Sequence, residues 1–389
     1  MNQNSVVSIK SNKLLDISLD SGDEVSAGVK QIVSQFSLDR SINASSNPIT
    51  IAEYTFIRAA IVFLLSSSDE DLNKKLNWGK TILTLMFDYI TAGCFPGMYF
   101  KNIKEIIETG KAPIKTYLLD KVKCLCPRLE CEYDQYLEFI PSEERKICEA
   151  ADAYAELFMN KGSENDQLIY GKLFGFMHYK GIQNLICKQD NFSLLGLIAK
   201  LNLITRWSHK VCLKNISVSA HSIGVAFITI LLIYANGKEN EFNIQDIFFS
   251  ALFHDIREIS IGDIVSPVKK ELKSVFKDWK KYEKDLFIVE LKELVNSNGG
   301  KRLVDLVENI QETSSENQIH TTKGLIKFAD QLCAFYEGIL FVAKDNNNPY
   351  CFDRADPVLK NYLNEHSVCG IDITQIISDI RGSGWLIET

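Results

Sequence analysis

Apolar residues recur at three- and four-residue intervals along most of this 389-residue chain, over 53–66, 79–91, 145–159, 219–235, 244–257, 276–296 and 321–343. That period puts them on one face of a helix. Long alternating β-branched runs flanked by hairpin turns, the signal of strands, are missing. The chain therefore reads as all-α, with polar loops at 67–73, 161–166, 236–241, 297–301, 313–318 and 344–349. Its length suggests two or three domains, each able to bury its own core.

Bulk properties exclude several classes of function. The net charge of −7 is the wrong sign for a phosphate polymer, so no nucleic-acid partner is expected. An early charged start followed by an apolar core and a cleavage site is not found. No uninterrupted apolar run reaches the roughly 18 residues of a membrane span. The expectation is a cytoplasmic protein without a membrane partner. The ten cysteines then read as reduced, mostly buried thiols. Cys124, Cys126 and Cys131 come closest to a cluster but lack a fourth ligand and the paired spacing of structural zinc.

The chain also matches itself. Glu53–Leu65 lies over Ala220–Leu232, with Ala59, Ile61, Leu64 and Leu65 facing Ala226, Ile228, Leu231 and Leu232. In the same register Leu85-Met-Phe-Asp88 falls on Leu252-Phe-His-Asp255, so Tyr54 to Asp88 spans the same distance as His221 to Asp255. Further on, Ala151-Asp152 can be laid on Ala329-Asp330, and Arg40 falls one residue off Arg206. Apolar helices share some alanines and leucines by chance; the equal separations are what point to a duplication. In the N-terminal copy Tyr54 replaces His221, Phe87 replaces His254 and Thr91 replaces Glu258. That leaves Asp88 and Asp152 without an imidazole, a poor metal site.

Chemistry concentrates in Ala251–Lys269, where a His254-Asp255 pair, Glu258, a Gly262-Asp263 turn and Lys269 stand close together. Imidazole and carboxylate suit a divalent metal, and a lysine point charge suits phosphate. Together they indicate phosphoester hydrolysis. His221 interrupts one apolar helix and Asp330 another, in Leu325-Ile-Lys-Phe-Ala-Asp-Gln-Leu-Cys-Ala334. A lone buried carboxylate there costs several kcal/mol, roughly, unless it is charge-paired or metal-bound. On a helix, Glu258 would face the same side as His254 and Asp255.

This pattern resembles the HD-domain metal-dependent phosphohydrolases, whose ligands are a His, a His-Asp pair and a distant Asp. It is most similar to the bacterial 5′-deoxynucleotidase branch. The matching pieces are Arg206-Trp207, Ala220-His221-Ser222, His254-Asp-Ile-Arg-Glu-Ile-Ser-Ile-Gly-Asp263, Ser266-Pro-Val-Lys269 and Ala329-Asp-Gln-Leu-Cys-Ala-Phe335. They cover about residues 195–345. Departures are Ala220 for a glutamate, and Arg257 and Gln331 for small residues; Arg257 would add positive charge near the site.

The resemblance implies an HD-domain helical bundle and one divalent ion on His221, His254, Asp255 and Asp330, with Mn, Co, Fe, Mg and Zn all compatible. Such an ion lowers the pKa of water and neutralises phosphate. Glu258 would be the general acid/base, and Asp263 would contact substrate or activate water. Arg206 and Lys269 would hold the phosphate. Trp207 would either pack against the deoxyribose, excluding a 2′-hydroxyl, or serve as a core residue. The division expected is a degenerate HD-like domain over 1–160, a linker over 161–198, a catalytic HD domain over 199–345 and an extension over 346–389. The expected activity is removal of the 5′-phosphate from nucleoside monophosphates, deoxy forms above all. The alternative is a nucleotide-sensing effector whose site, acting on dNTP or cyclic nucleotide, is gated by the N-terminal domain. The family's homodimer would be kept, or replaced by an intramolecular pseudo-dimer.

Overall fold

The computed structural model describes residues 24–38, 49–96, 98, 100–159, 166–187, 189–207, 214–264, 266–276, 278–311, 318–341, 359, 362 and 364–382. The N-terminal half comprises α1 (Glu24–Ser34), α2 (Ile51–Ser68), α3 (Glu70–Lys75), α4 (Trp78–Cys94), α5 (Phe100–Leu125), α6 (Glu130–Leu137) and α7 (Glu143–Met159). Three shorter helices follow: α8 (Asp166–Phe174), α9 (Lys180–Cys187) and α10 (Gln189–Ile198). The C-terminal half holds α11 (Val218–Ala235), α12 (Ile244–Leu252), α13 (Glu258–Ile261), α14 (Ser266–Val275), α15 (Trp279–Leu291), α16 (Asn298–Gln311) and α17 (Thr322–Phe341). A two-residue antiparallel pair, β1 (Ser367–Val368) and β2 (Ile371–Asp372), leads into α18 (Thr374–Gly382). The all-α reading holds.

Helices α2 and α11 form the centre and pack on each other. Each starts at a hydroxyl cap: Thr50 accepts from the Glu53 amide in a reciprocal capping box, and Ser217 accepts from the Ala220 amide. Both are apolar almost all round, as a helix covered on every side must be. At 18 residues, with mean hydropathy 1.3 and 1.9, both are long and apolar enough to cross a membrane, contrary to the sequence expectation. Their burial inside the fold, 83% and 89%, makes them core helices here.

Aromatic side chains lock the two halves together. Phe63 of α2 meets the rings of Phe249 and Phe253 edge-on at 5.2 and 5.0 Å, and the Arg302 guanidinium covers its face at 5.2 Å. Arg302 also donates to Ser66 Oγ at 2.9 Å. Gly224 lets α11 approach the 3-10 turn after α1 (Gln35–Ser37) closely, because a Cβ there would sit 2.1 Å from Phe36 Cζ. The C-terminal segment folds back on this body: the Cys369 amide donates to the Ile319 carbonyl, and α18 packs on α1.

Several local expectations fail for identifiable reasons. Helix 244–257 stops at Leu252, helix 276–296 is divided into α15 and the 3-10 turn Lys292–Asn296, and the loop read over 297–301 instead holds the first turn of α16. Of the eight described cysteines, Cys126, Cys148 and Cys333 are buried, whereas Cys124, Cys131 and Cys187 are exposed. Phe63→Ala should destabilise the protein by about 3–5 kcal/mol, because the cavity would open between both halves. Urea denaturation measures this, and a loss under about 1 kcal/mol would contradict the packing described.

Candidate active site

The start of α11 is tied to the preceding segment by backbone. Thr205 and Ser217 form an isolated antiparallel bridge, with the Arg206 amide donating to the Ile216 carbonyl at 2.8 Å and the Val218 amide to the Ile204 carbonyl at 2.9 Å. This brings Arg206 and Trp207 beside His221, which lies one turn inside α11 and is fully buried. Trp207 sits at φ 58, a left-handed backbone that strains a bulky residue by about 1–3 kcal/mol.

Beyond α12 the backbone tightens. His254, Ile256, Glu258 and Ile259 donate to carbonyls three residues back. His254 Nδ1 lies 2.8 Å from the Ala251 carbonyl, an acceptor that a continuing helix would use for its own ladder. Helix α12 therefore ends before the His-Asp pair, and Glu258 opens a new short helix. Its alignment with Asp255 comes from this turn and not from one continuous helix.

Four donor groups converge. His221 Nε2 is 3.0 Å from Asp330 Oδ1 and 3.9 Å from Asp255 Oδ2. His254 Nε2 is 3.1 Å from Asp255 Oδ2 and 3.8 Å from Asp330 Oδ1. His254 Nε2 is buried yet makes no hydrogen bond. With both Nδ1 atoms engaged elsewhere, each ring turns Nε2 inward, the arrangement that metal-ligating imidazoles adopt. His221, His254 and Asp255 form a group able to hold a metal ion, and the donor set fits a divalent cation. Burial opposes a charged His254, but Asp255 and Asp330 outweigh it and raise its pKa to about 10.

The sequence reading missed Glu337. Its carboxylate is fully buried on α17, two turns beyond Asp330 on the same face. Oε1 pairs with His221 Nδ1 at 2.7 Å, and Oε2 accepts from Trp207 Nε1 at 3.0 Å and from Arg206 Nε at 3.2 Å. Burial alone would raise its pKa, but Arg206 and His221 bring it down to about 2. The signal was available: Asp330, Cys333 and Glu337 share a three- and four-residue spacing along one face of a largely apolar helix. Lys327, one turn before Asp330, bonds the outer oxygen of that aspartate and was missed too.

Around this centre, Arg206 Nη1 is 3.5 Å from Asp255 Oδ2. Lys269 Nζ donates to Glu258 Oε1 at 3.2 Å, while Glu258 Oε2 is buried without a hydrogen bond. Burial, then Asp255, raises the Glu258 pKa to about 8 against the pull of Lys269. Asp263 is half-buried beyond Gly262, whose φ of 74 makes the turn. Its charge acts on Arg206, Glu258 and Lys269. The carboxylates Glu283 and Glu308 act on Arg257. His178, His320 and His366 are exposed, and His209 lies outside the described residues.

A family model described as 5′-deoxynucleotidase YfbR-like matches residues 193–373. A 5′-deoxynucleotidase of Yersinia pseudotuberculosis is 30% identical over 170 residues, 43% of this chain and 80% of the relative. One of Photorhabdus laumondii is 29% identical over 140 residues, 36% of this chain and 68% of the relative. One of Yersinia pestis is 30% identical over 154 residues, 39% and 74% respectively. The chain belongs to the 5′-deoxynucleotidase YfbR-like family. It is an enzyme of the phosphoric monoester hydrolase class. No solved structure matches it. The 5′-deoxynucleotidase match takes in α11 to α17 and the β1–β2 pair, and leaves the N-terminal half outside.

Glu337→Gln should weaken Mn²⁺ binding about 10–100-fold, the usual effect of losing the group that orients a ligating histidine. Titration calorimetry measures this, and unchanged affinity would contradict the role given to Glu337.

Proposed function

We propose that the protein is a divalent-metal-dependent phosphohydrolase that removes the 5′-phosphate from nucleoside monophosphates, preferring the deoxy forms. The observation that supports this best is the convergence of two inward-facing imidazole Nε2 atoms with Asp255 and Asp330. His221, His254, Asp255 and Asp330 would hold the ion. When bound, the ion supplies Lewis acidity and a lowered pKa for water. Its identity among Mn, Co, Fe, Mg and Zn is left open by this donor set.

The chain's own groups have separable tasks. Arg206 grips phosphate oxygens as a planar fork, and Lys269 adds a point charge. Glu258, kept protonated near neutrality by burial, donates its proton to the departing 5′-oxygen as the phosphorus–oxygen bond breaks and water supplies the new one. Asp263 adds a carboxylate at the Gly262 turn, next to both cationic groups. Trp207, its ring nitrogen fixed on Glu337, presents an apolar edge to the sugar and disfavours a 2′-hydroxyl. The negative net charge favours a small nucleotide over a polymer as substrate. The burial of both apolar central helices supports a water-soluble protein.

Phosphate release from dNMPs, NMPs and dNTPs with Mn²⁺ or Co²⁺ tests the reading. Release from dNMPs should vanish with EDTA and with Asp255→Ala, and kcat should fall about 10²–10⁴-fold in Glu258→Gln. Tripolyphosphate released from dNTPs would move the substrate to triphosphates. Silence across the panel with metal bound would favour an effector gated by the N-terminal half. In Trp207→Ala, discrimination between dNMP and NMP should shrink; an unchanged ratio of kcat/KM values would make Trp207 a core residue only.

A further inference from the structure

A second buried knot of charge lies outside the catalytic half. Arg58 of α2 is 4% exposed. Its Nη2 donates to Asp88 Oδ2 at 2.7 Å and to the Cys148 carbonyl at 3.3 Å, and its Nε lies 3.2 Å from Asp152 Oδ1. Tyr54 donates to Asp152 Oδ1 at 2.9 Å, and Tyr136 donates to Asp88 Oδ1 at 2.6 Å. A cavity of about 20 Å³, room for one water, opens between Tyr54, Arg58, Asp88 and Asp152.

Tyr54, Asp88 and Asp152 are the residues that the internal sequence match lays on His221, Asp255 and Asp330. The match extends to positions it did not use. Thr50, the cap of α2, stands four residues before Tyr54, as Ser217, the cap of α11, stands four before His221. The position of Arg58 falls on Val225 of α11. Asp88, Asp152 and Tyr54 sit on α4, α7 and α2, while their counterparts sit just past α12, on α17 and on α11. One difference has a direct cause: Phe87 stands where His254 stands, has no ring nitrogen to engage a backbone carbonyl, and α4 runs on unbroken to Cys94.

We propose that the N-terminal half is a second copy of the catalytic helical unit in which the guanidinium of Arg58 takes the place of the metal ion. In both halves two carboxylates on separate segments need a counter-charge. The catalytic half meets that need with a site fitted to a dication, two imidazoles completing it. The N-terminal half carries its cation covalently, and tyrosine hydroxyls stand in for the imidazoles. Equivalent elements face each other across the junction, α2 against α11 and α4 against α12, as in a two-fold dimer interface. The second copy thus occupies the place of a partner subunit.

Restoring the residues of the other half tests this in the full chain. The variant Tyr54→His, Arg58→Val, Phe87→His should bind one Mn²⁺ more per chain than wild type, counted by equilibrium dialysis, and Asp88→Asn should remove that extra ion. A folded variant that keeps its activity and gains no ion overturns the proposal. The ion count of wild type tests the hydrolase reading, whereas the change in count tests this one. Should the triple variant not fold, Arg58→Met serves instead. It should melt several degrees below wild type and recover when Asp88→Asn is added; unchanged melting, or no recovery, overturns the proposal. Wild type should be active as a monomer in sedimentation velocity, and activity confined to dimers would remove the partner role.

Discussion

The arrangement of the site depends on one buried carboxylate. Glu337 has no access to water, and a charge in that position is unstable by several kcal/mol, roughly, unless it is paired and hydrogen-bonded. Arg206, Trp207 and His221 meet that requirement together, and each is thereby fixed in place. The bond to His221 Nδ1 directs Nε2 at Asp330 and Asp255. The bonds to Arg206 and Trp207 hold the edge of the site where phosphate and sugar would lie. In the proposed function, metal ligation, phosphate grip and sugar discrimination would therefore share one anchor, which links the start of α11, the 204–207 segment and the last turns of α17.

Much of this was legible in the sequence because it follows local rules. The helical period located α2, α4, α7, α11 and α17 to within three residues at each end. The polar interruptions of apolar helices marked His221 and Asp330, which the fold brings within hydrogen-bonding distance. Less legible was whatever depends on a side chain competing with backbone. Periodicity carries apolar residues through 244–257, yet His254 engages the Ala251 carbonyl and the helix ends. Glu337 escaped notice because glutamate is ordinarily a solvated residue in a helix; only the fold shows which face of α17 is covered.

The two halves show how one electrostatic problem admits two solutions. Asp88 with Asp152, and Asp255 with Asp330, are carboxylate pairs at buried or half-buried positions, where unpaired charge is costly. A guanidinium is a permanent answer and leaves no room for chemistry. A site of imidazoles and carboxylates fitted to an exchangeable dication is catalytically useful, and needs a further support such as Glu337 to hold its ligands. On the proposed reading the asymmetry between the halves is one of function, while both contribute to the shared core through Phe63, Phe249 and Phe253.

The most direct test of this account is where a metal sits. Crystals grown with Mn²⁺ should give an anomalous difference peak bounded by His221 Nε2, His254 Nε2, Asp255 and Asp330, with no peak beside Arg58. A peak elsewhere, or none at these four residues in an enzyme that releases phosphate, would contradict it.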